Sequence, residues 1–416
     1  MTRIFPVSLC LIACAILLSC QPAAPPTNLG ESKSASTPTE RSSKTSATDL
    51  EALSNRLVNQ VAGVKEGDIV LISGAARDAE LIENLSTDVR KVGAFPLLTL
   101  NSDRLGKKYF EEVPEKYDSQ SPELDLKLAT MATVSFAVDS NEAEGVFAAV
   151  APARLAATGK AFEPVADLYL KRNVRQVAIG NGLYPTEWRA KRFGMSKDEL
   201  AQSFWAAVNT DYTALQASGE KVRSALAVGK EVHITNPNGT DLKVRVEGRP
   251  FFVSDGVISA EDVKKGGPAV SVYLPAGEVY CAPVPGTAEG KVVVSRNFYN
   301  GKEVTDLTLT FVAGKLTSLT GSGPGFDKLK ADYDAQGPGK ELFGFVDFGI
   351  NPNFSVPAAS KLGNWIQAGM VTVGVGGNTW AGGDNKITSE IVNFLPGSTV
   401  TLDGKPVVEN GTLKLL

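Results

Sequence analysis

Gly67-Asp68-Ile69-Val70-Leu71-Ile72-Ser73-Gly74 decides the first half of the fold. The run is apolar, β-branched, short and bounded by glycine, the texture of a strand buried on both faces. A helical pattern occupies residues 79–92, Gly93-Ala94-Phe95-Pro96 turns the chain, and a second apolar run follows, Leu97-Leu98-Thr99-Leu100. Strand, helix and strand at this spacing form a βαβ unit, whose strands are parallel and whose crossover is right-handed. Val134-Ser135-Phe136-Ala137-Val138 and Val177-Ala178-Ile179-Gly180 supply further strands of the same kind. Residues 47–184 are therefore expected to form an α/β domain around a doubly wound parallel sheet, opened by Leu53, Leu57, Val58 and Val61 at helical spacing.

The texture changes downstream. Ser196 followed by Glu199 is a capping box, and one long helix is expected through Phe204-Trp205 towards Leu226, within an inter-domain helical segment over residues 185–230. From Glu231 onward, short alternating runs are punctuated by Asn238-Gly239, Asp255-Gly256, Asn300-Gly301 and Asp403-Gly404, dipeptides that favour hairpin turns. Residues 231–416 are expected to be a mainly antiparallel α+β domain.

Upstream of the first domain the chain carries an address. Arg3 precedes an apolar run from Val7 to Leu18, too short for a permanent bilayer span, which reads as a secretory signal over residues 1–19. It ends Leu17-Leu18-Ser19-Cys20, similar to the lipobox of bacterial lipoproteins, in which the cysteine is lipidated and becomes the new N-terminus. Residues 20–46 are Ser-, Thr- and Pro-rich with almost no large apolar side chains, the composition of a disordered tether. The expected location is the cell envelope of a bacterium, anchored to a membrane through Cys20. Gln21 after the cysteine permits sorting to an outer membrane. Cys10 and Cys14 leave with the signal, so Cys281 is the one thiol of the mature chain and no intrachain disulfide is expected.

Composition excludes several function classes. Mean hydropathy of −0.04 excludes a polytopic membrane protein. A net charge of −4 gives no basic field for nucleic acid. The single histidine, His233, lies in an expected strand, so a site built on two imidazoles cannot come from one chain. The glycine-rich stretch from Val371 to Asn385 lacks the Lys-Ser/Thr and the following helix of a phosphate loop, and reads as bends of a β domain. Cys281 as a nucleophile would need a base other than histidine.

Several stretches in order carry a family likeness: Val64-Lys65-Glu66-Gly67-Asp68-Ile69, Tyr184-Pro185-Thr186-Glu187-Trp188, Gly239-Thr240-Asp241-Leu242 with Gly248-Arg249, Pro275-Ala276-Gly277-Glu278-Val279-Tyr280, Gly349-Ile350-Asn351-Pro352, Gly382-Gly383-Asp384-Asn385 and Leu402-Asp403-Gly404. In these the chain resembles the thermophilic metallo-aminopeptidases of the aminopeptidase T, S and II type. The resemblance implies a two-domain, usually dimeric exopeptidase that removes N-terminal residues from peptides with a pair of metal ions on its second domain. It also implies a ligand set of two glutamates, two histidines and an aspartate in a His-x-Asp pair, with a tyrosine nearby.

Carried over residue by residue, the first glutamate is Glu278 and is present. The second falls on Phe345, with Asp347 as a substitute that a local shift would bring in. The first histidine falls on Thr372, the His-x-Asp pair on Glu390 and Val392, and Trp380 lies near the expected tyrosine. Two neighbouring divalent ions need several donors between them, high affinity coming from nitrogen or bridging carboxylate. Glu278, Asp347 and Glu390 would supply at most one hard, weakly held ion. The expectation is a lipoprotein whose metallohydrolase centre is degenerate and which serves as a binding module for a peptide or small molecule, or as a structural homodimer. The rival is an active aminopeptidase with a carboxylate-only metal site. The ring-cleaving dioxygenases of similar fold share the need for His-x-Asp, so the same gap weighs against them.

Overall fold

The computed structural model describes residues 48–143, 145–147, 149–387 and 389–415; the expected signal, Cys20 and the tether lie outside these. Among the described residues no helix is long and apolar enough to cross a membrane.

The first sheet opens with β1 (Ile69–Gly74), β2 (Phe95–Leu100), β3 (Val134–Val138) and β4 (Arg175–Ile179). All are parallel, and the order β2-β1-β3-β4 reverses the direction of winding after β2, as in a doubly wound sheet. The helix Ala79–Lys91 makes the first crossover and buries Leu81, Ile82, Leu85 and Val89, one face at three- and four-residue spacing. Asp68 explains the Gly-Asp opening. It accepts from the Lys65 amide at 2.7 Å and the Thr133 hydroxyl at 2.8 Å, and pairs with Arg175 at 2.6 Å, tying the starts of β1, β3 and β4 together.

Two further features differ from the sequence expectation. The single long helix is two, Lys197–Val208 and Tyr212–Ala227. Asp211 ends the first and caps the second, accepting from the Thr213 and Ala214 amides at 2.9 and 3.0 Å. After β5 (Glu231–Asn236), β6 (Thr240–Arg245) and β7 (Phe252–Ser254), the chain returns to the parallel sheet. There β8 (Ser271–Leu274) lies parallel to β4 as its fifth strand, so the sheet borrows an element from beyond the inter-domain helices.

The remaining strands are β9 (Glu278–Cys281), β10 (Glu289–Tyr299), β11 (Lys302–Val312), β12 (Lys315–Ser322), β13 (Phe343–Gly349), β14 (Val371–Gly376), β15 (Glu390–Phe394), β16 (Thr399–Leu402), β17 (Lys405–Glu409) and β18 (Thr412–Leu413). They form two antiparallel sheets, of order β12-β11-β10-β6-β5-β16-β17-β18 and β15-β14-β13-β9-β7. Asn238-Gly239, Asn300-Gly301 and Asp403-Gly404 each join strands that pair as hairpins. Asp255-Gly256 does not: β7 pairs with β9, and Asp255 instead accepts from Gln216 at 3.1 Å and from the Val257 amide at 3.0 Å, leading the chain to a helix at Ala260–Lys265. The α/β first part and antiparallel second part are those the sequence pattern called for.

Candidate functional site

The five-stranded antiparallel sheet collects every position that the ligand pattern marks. Its register pairs Glu278 with Gly349, Asp347 with Tyr280 and Thr372, Phe345 with Gly374, Val392 with Gly374, and Glu390 with Gly376. Directly paired residues project to the same side and alternate along a strand. Glu278, Phe345, Asp347, Thr372, Glu390 and Val392 therefore share one face.

Why the chain folds this way locally is legible from four polar anchors. Asn351 is fully buried, and its amide donates to the Ala276 carbonyl at 2.7 Å and the Ala207 carbonyl at 3.2 Å. The Asn-Pro motif thus holds the Pro-Ala-Gly turn that delivers Glu278 against the end of an inter-domain helix. Gly349 is required beside it, because a Cβ there would sit 2.1 Å from the Gln367 carbonyl oxygen. Arg249 donates to the Ala282 carbonyl at 2.8 Å and the Gly382 carbonyl at 2.7 Å, clamping the glycine-rich loop onto β9. Asn385 closes that loop by donating to the Gly339 and Gly376 carbonyls, each at 2.8 Å. The Gly-Gly-Asp-Asn stretch is therefore a brace between strands and cradles no phosphate.

On the shared face, aromatic rings fill the space where charged ligands would stand. Phe345 is fully buried, 4.7 Å from Trp380 and stacked 6.0 Å from Trp365, centroid to centroid. Trp380 lies 5.0 Å from Tyr280, which stacks on Phe252 at 5.8 Å, and Trp365 meets Phe394 edge-on at 5.1 Å. Glu390 is turned into this layer as an acceptor, its Oε1 taking the indole N–H of Trp380 at 3.0 Å. Thr372, opposite Asp347, is buried with its hydroxyl lacking a hydrogen-bond partner among the described residues.

The carboxylates do not converge. Two strands separate β9 from β15, so Glu278 and Glu390 are three inter-strand steps apart, about 14 Å laterally. An ion holds its oxygen ligands at about 2.0–2.6 Å, so one coordination sphere cannot take both. Glu278 and Asp347 are on adjacent strands, diagonal to each other. Among the described residues no group of three or more His, Cys, Asp or Glu is placed to hold a metal ion. As a joint site, the trio of Glu278, Asp347 and Glu390 is not assembled. The donor chemistry likewise does not fit a pair of ions, since phenyl, hydroxyl and isopropyl groups stand at three of the ligand positions.

Two other expectations are settled by position. His233 is on β5 of the other antiparallel sheet, with Nε2 2.7 Å from Asp241 across the hairpin. Cys281 is fully buried at the end of β9, and burial pushes its thiol far above the ordinary range, which withholds the thiolate a nucleophile needs. Sequence reasoning missed Trp365, Phe252 and Phe394 as site residues. They come from three separate segments, and only the sheet register brings them together.

A doubly wound parallel sheet joined to a five-stranded antiparallel sheet, with the marked positions on one face of the latter, defines the two-part architecture of the metallo-aminopeptidases. The chain belongs to the thermophilic metalloprotease (M29) family, whose model matches residues 46–331. That span includes Glu278 and ends before β13, β14 and β15. Among solved structures, wild-type AmpT from Thermus thermophilus superposes with a TM-score of 0.67 at 18% identity, covering 88% of this chain and 98% of that one. The 2,5-dihydroxypyridine dioxygenase from Pseudomonas putida KT2440 superposes with a TM-score of 0.56 at 15% identity, covering 89% and 98%. At such identities the likeness is one of fold. No curated protein matches the chain.

Proposed function

We propose that this chain is a lipid-anchored envelope protein that has kept the aminopeptidase fold and lost its hydrolytic centre, acting as a homodimeric binding module. The observation that carries the reading is Phe345. It stands where the family pattern has a glutamate, and its ring is packed between two tryptophans. A buried carboxylate at that position would require a cation, whereas a buried phenyl ring stabilises the fold without one. Val392 and Thr372 repeat the substitution on the neighbouring strands. Leu17-Leu18-Ser19-Cys20 supports the anchor, and the polar stretch after it supports a tether.

Both parts are testable on the full chain purified in detergent. With Co²⁺, Zn²⁺ or Mn²⁺ added, aminoacyl p-nitroanilides should show no turnover above a protein-free blank. Turnover that disappears in Glu278→Ala would overturn the reading in favour of an active metallopeptidase. Labelled palmitate should enter the wild-type chain and not Cys20→Ser, and the variant should leave the membrane fraction. Equal labelling of both would remove the anchor.

A further inference from the structure

A cavity of ≈ 60 Å³ lies beside the aromatic layer, between the turn after β4 and the central strand β10. Its walls divide by chemistry. One side carries Arg192 and Arg296 with Asn297 and Asn364; the other is apolar, with Trp365 and Phe394. No aspartate or glutamate lines it.

The polar wall is built, and it offers donors. Both guanidinium groups stand on the Phe298 ring, with Arg192 4.4 Å and Arg296 5.0 Å from its centroid, and Arg192 also lies 5.0 Å over Trp188. Arg296 is fixed from behind by Glu303 at 2.5 Å and by the Ser360 carbonyl at 3.2 Å. Those bonds use its Nε and one Nη1 N–H, leaving Nη2 without a hydrogen-bond partner among the described residues. The two asparagines are 9% and 5% exposed. Their side-chain oxygens already accept backbone N–H groups, from Phe298 at 2.8 Å and Ile366 at 3.1 Å, so the hydrogen-bonding they have left is amide N–H. Two cations sharing one ring repel each other, and an anion between them relieves that repulsion. Planar N–H forks match a carboxylate bidentately. The opposite wall favours an apolar group, and the small volume limits the occupant to a compact head, the remainder leaving through the mouth.

We propose that this cavity binds a small carboxylate bearing an apolar substituent, with Arg192 and Arg296 on the carboxylate and Trp365 and Phe394 against the substituent. A free N-acylated amino acid and the C-terminal residue of a peptide present the same chemistry. The site stands whether or not the chain hydrolyses peptides, because none of its residues falls on a family ligand position.

The test is titration of the full chain, in detergent and chelator, with N-acetyl-leucine, N-acetyl-leucinamide and the tripeptide Gly-Gly-Leu, read by calorimetry and by tryptophan fluorescence. N-acetyl-leucine should bind saturably and its amide at least about tenfold more weakly. Arg296→Gln and Arg192→Gln should each lose about tenfold in affinity for the acid while leaving the weak amide binding unchanged. Arg192→Gln leaves the Glu303 pair intact, so it serves where Arg296→Gln shifts the thermal midpoint. Competition by Gly-Gly-Leu would identify a peptide C-terminus as the occupant, and its failure to compete a free acid; both support the site. Equal affinity for acid and amide, wild-type affinity in both variants, or no saturable binding would overturn it. Aminoacyl p-nitroanilide turnover reads the earlier proposal alone, so the two can fail independently.

Discussion

Replacing Phe345 by alanine is expected to lower the free energy of unfolding by about 3–5 kcal/mol, the range for deleting a buried phenyl ring. The ring is fully buried, contacts Trp365 and Trp380, and lies over the α-carbon of Gly374, so three strands and the loop after β14 lose their common packing partner. Partial collapse of the tryptophans into the space sets where in that range the loss falls. The measurement is the urea midpoint at unchanged m-value, followed by tryptophan fluorescence. A loss below about 1 kcal/mol would mean that the face is loosely filled and has room for charged ligands and ions. Phe345→Glu, which restores the family residue, should be at least as damaging without metal, because it buries a carboxylate among rings.

Gly374→Ala carries the second large effect, and its rescue is the sharper test. A Cβ at this position would lie 1.9 Å from Cε1 of Phe345 and 2.5 Å from its Cδ1 and Cζ. The ring must leave its place between the tryptophans, so the loss should reach or exceed the about 1–3 kcal/mol typical of overpacking. In the Phe345→Ala background the obstacle is gone. The double variant should then be little less stable than Phe345→Ala alone, with a coupling energy of about 2–3 kcal/mol in the cycle. Gly349→Ala is the control. Its obstacles are the backbone oxygens of Gln367 at 2.1 Å and Trp365 at 2.6 Å, so truncating Phe345 should not relieve it. Additive losses for Gly374→Ala and Phe345→Ala would contradict the packing described here.

What could be read from the chain alone follows the range of the interactions. β1 to β4 are short apolar runs between glycines and helices, a local pattern, and they form the parallel sheet as expected. The three Asn-Gly and Asp-Gly hairpins are equally local. Asp211 was overlooked as a cap because the apolar spacing runs straight across it, although Asp followed by Thr-Ala is a legible start signal. The return of β8 to the first sheet has no local signature, since Ser271–Leu274 would serve any sheet. The site divides the same way. Motif spacing alone marks positions 278, 345, 372, 390 and 392, and the register puts them on one face. It says nothing of the lateral distance between Glu278 and Glu390, which depends on strand order, nor of the rings of Phe252, Trp365 and Phe394.

The central claim is that the pair of metal ions characteristic of the family fold has no donor set here. The direct measurement is metal stoichiometry of the full wild-type chain, purified without chelator, equilibrated with Zn²⁺ or Co²⁺, desalted and analysed by elemental mass spectrometry. The packing of Phe345, Thr372 and Val392 predicts well under one ion per chain, unchanged in Glu278→Ala. Two retained ions per chain, lost on substitution of Glu278, would contradict it.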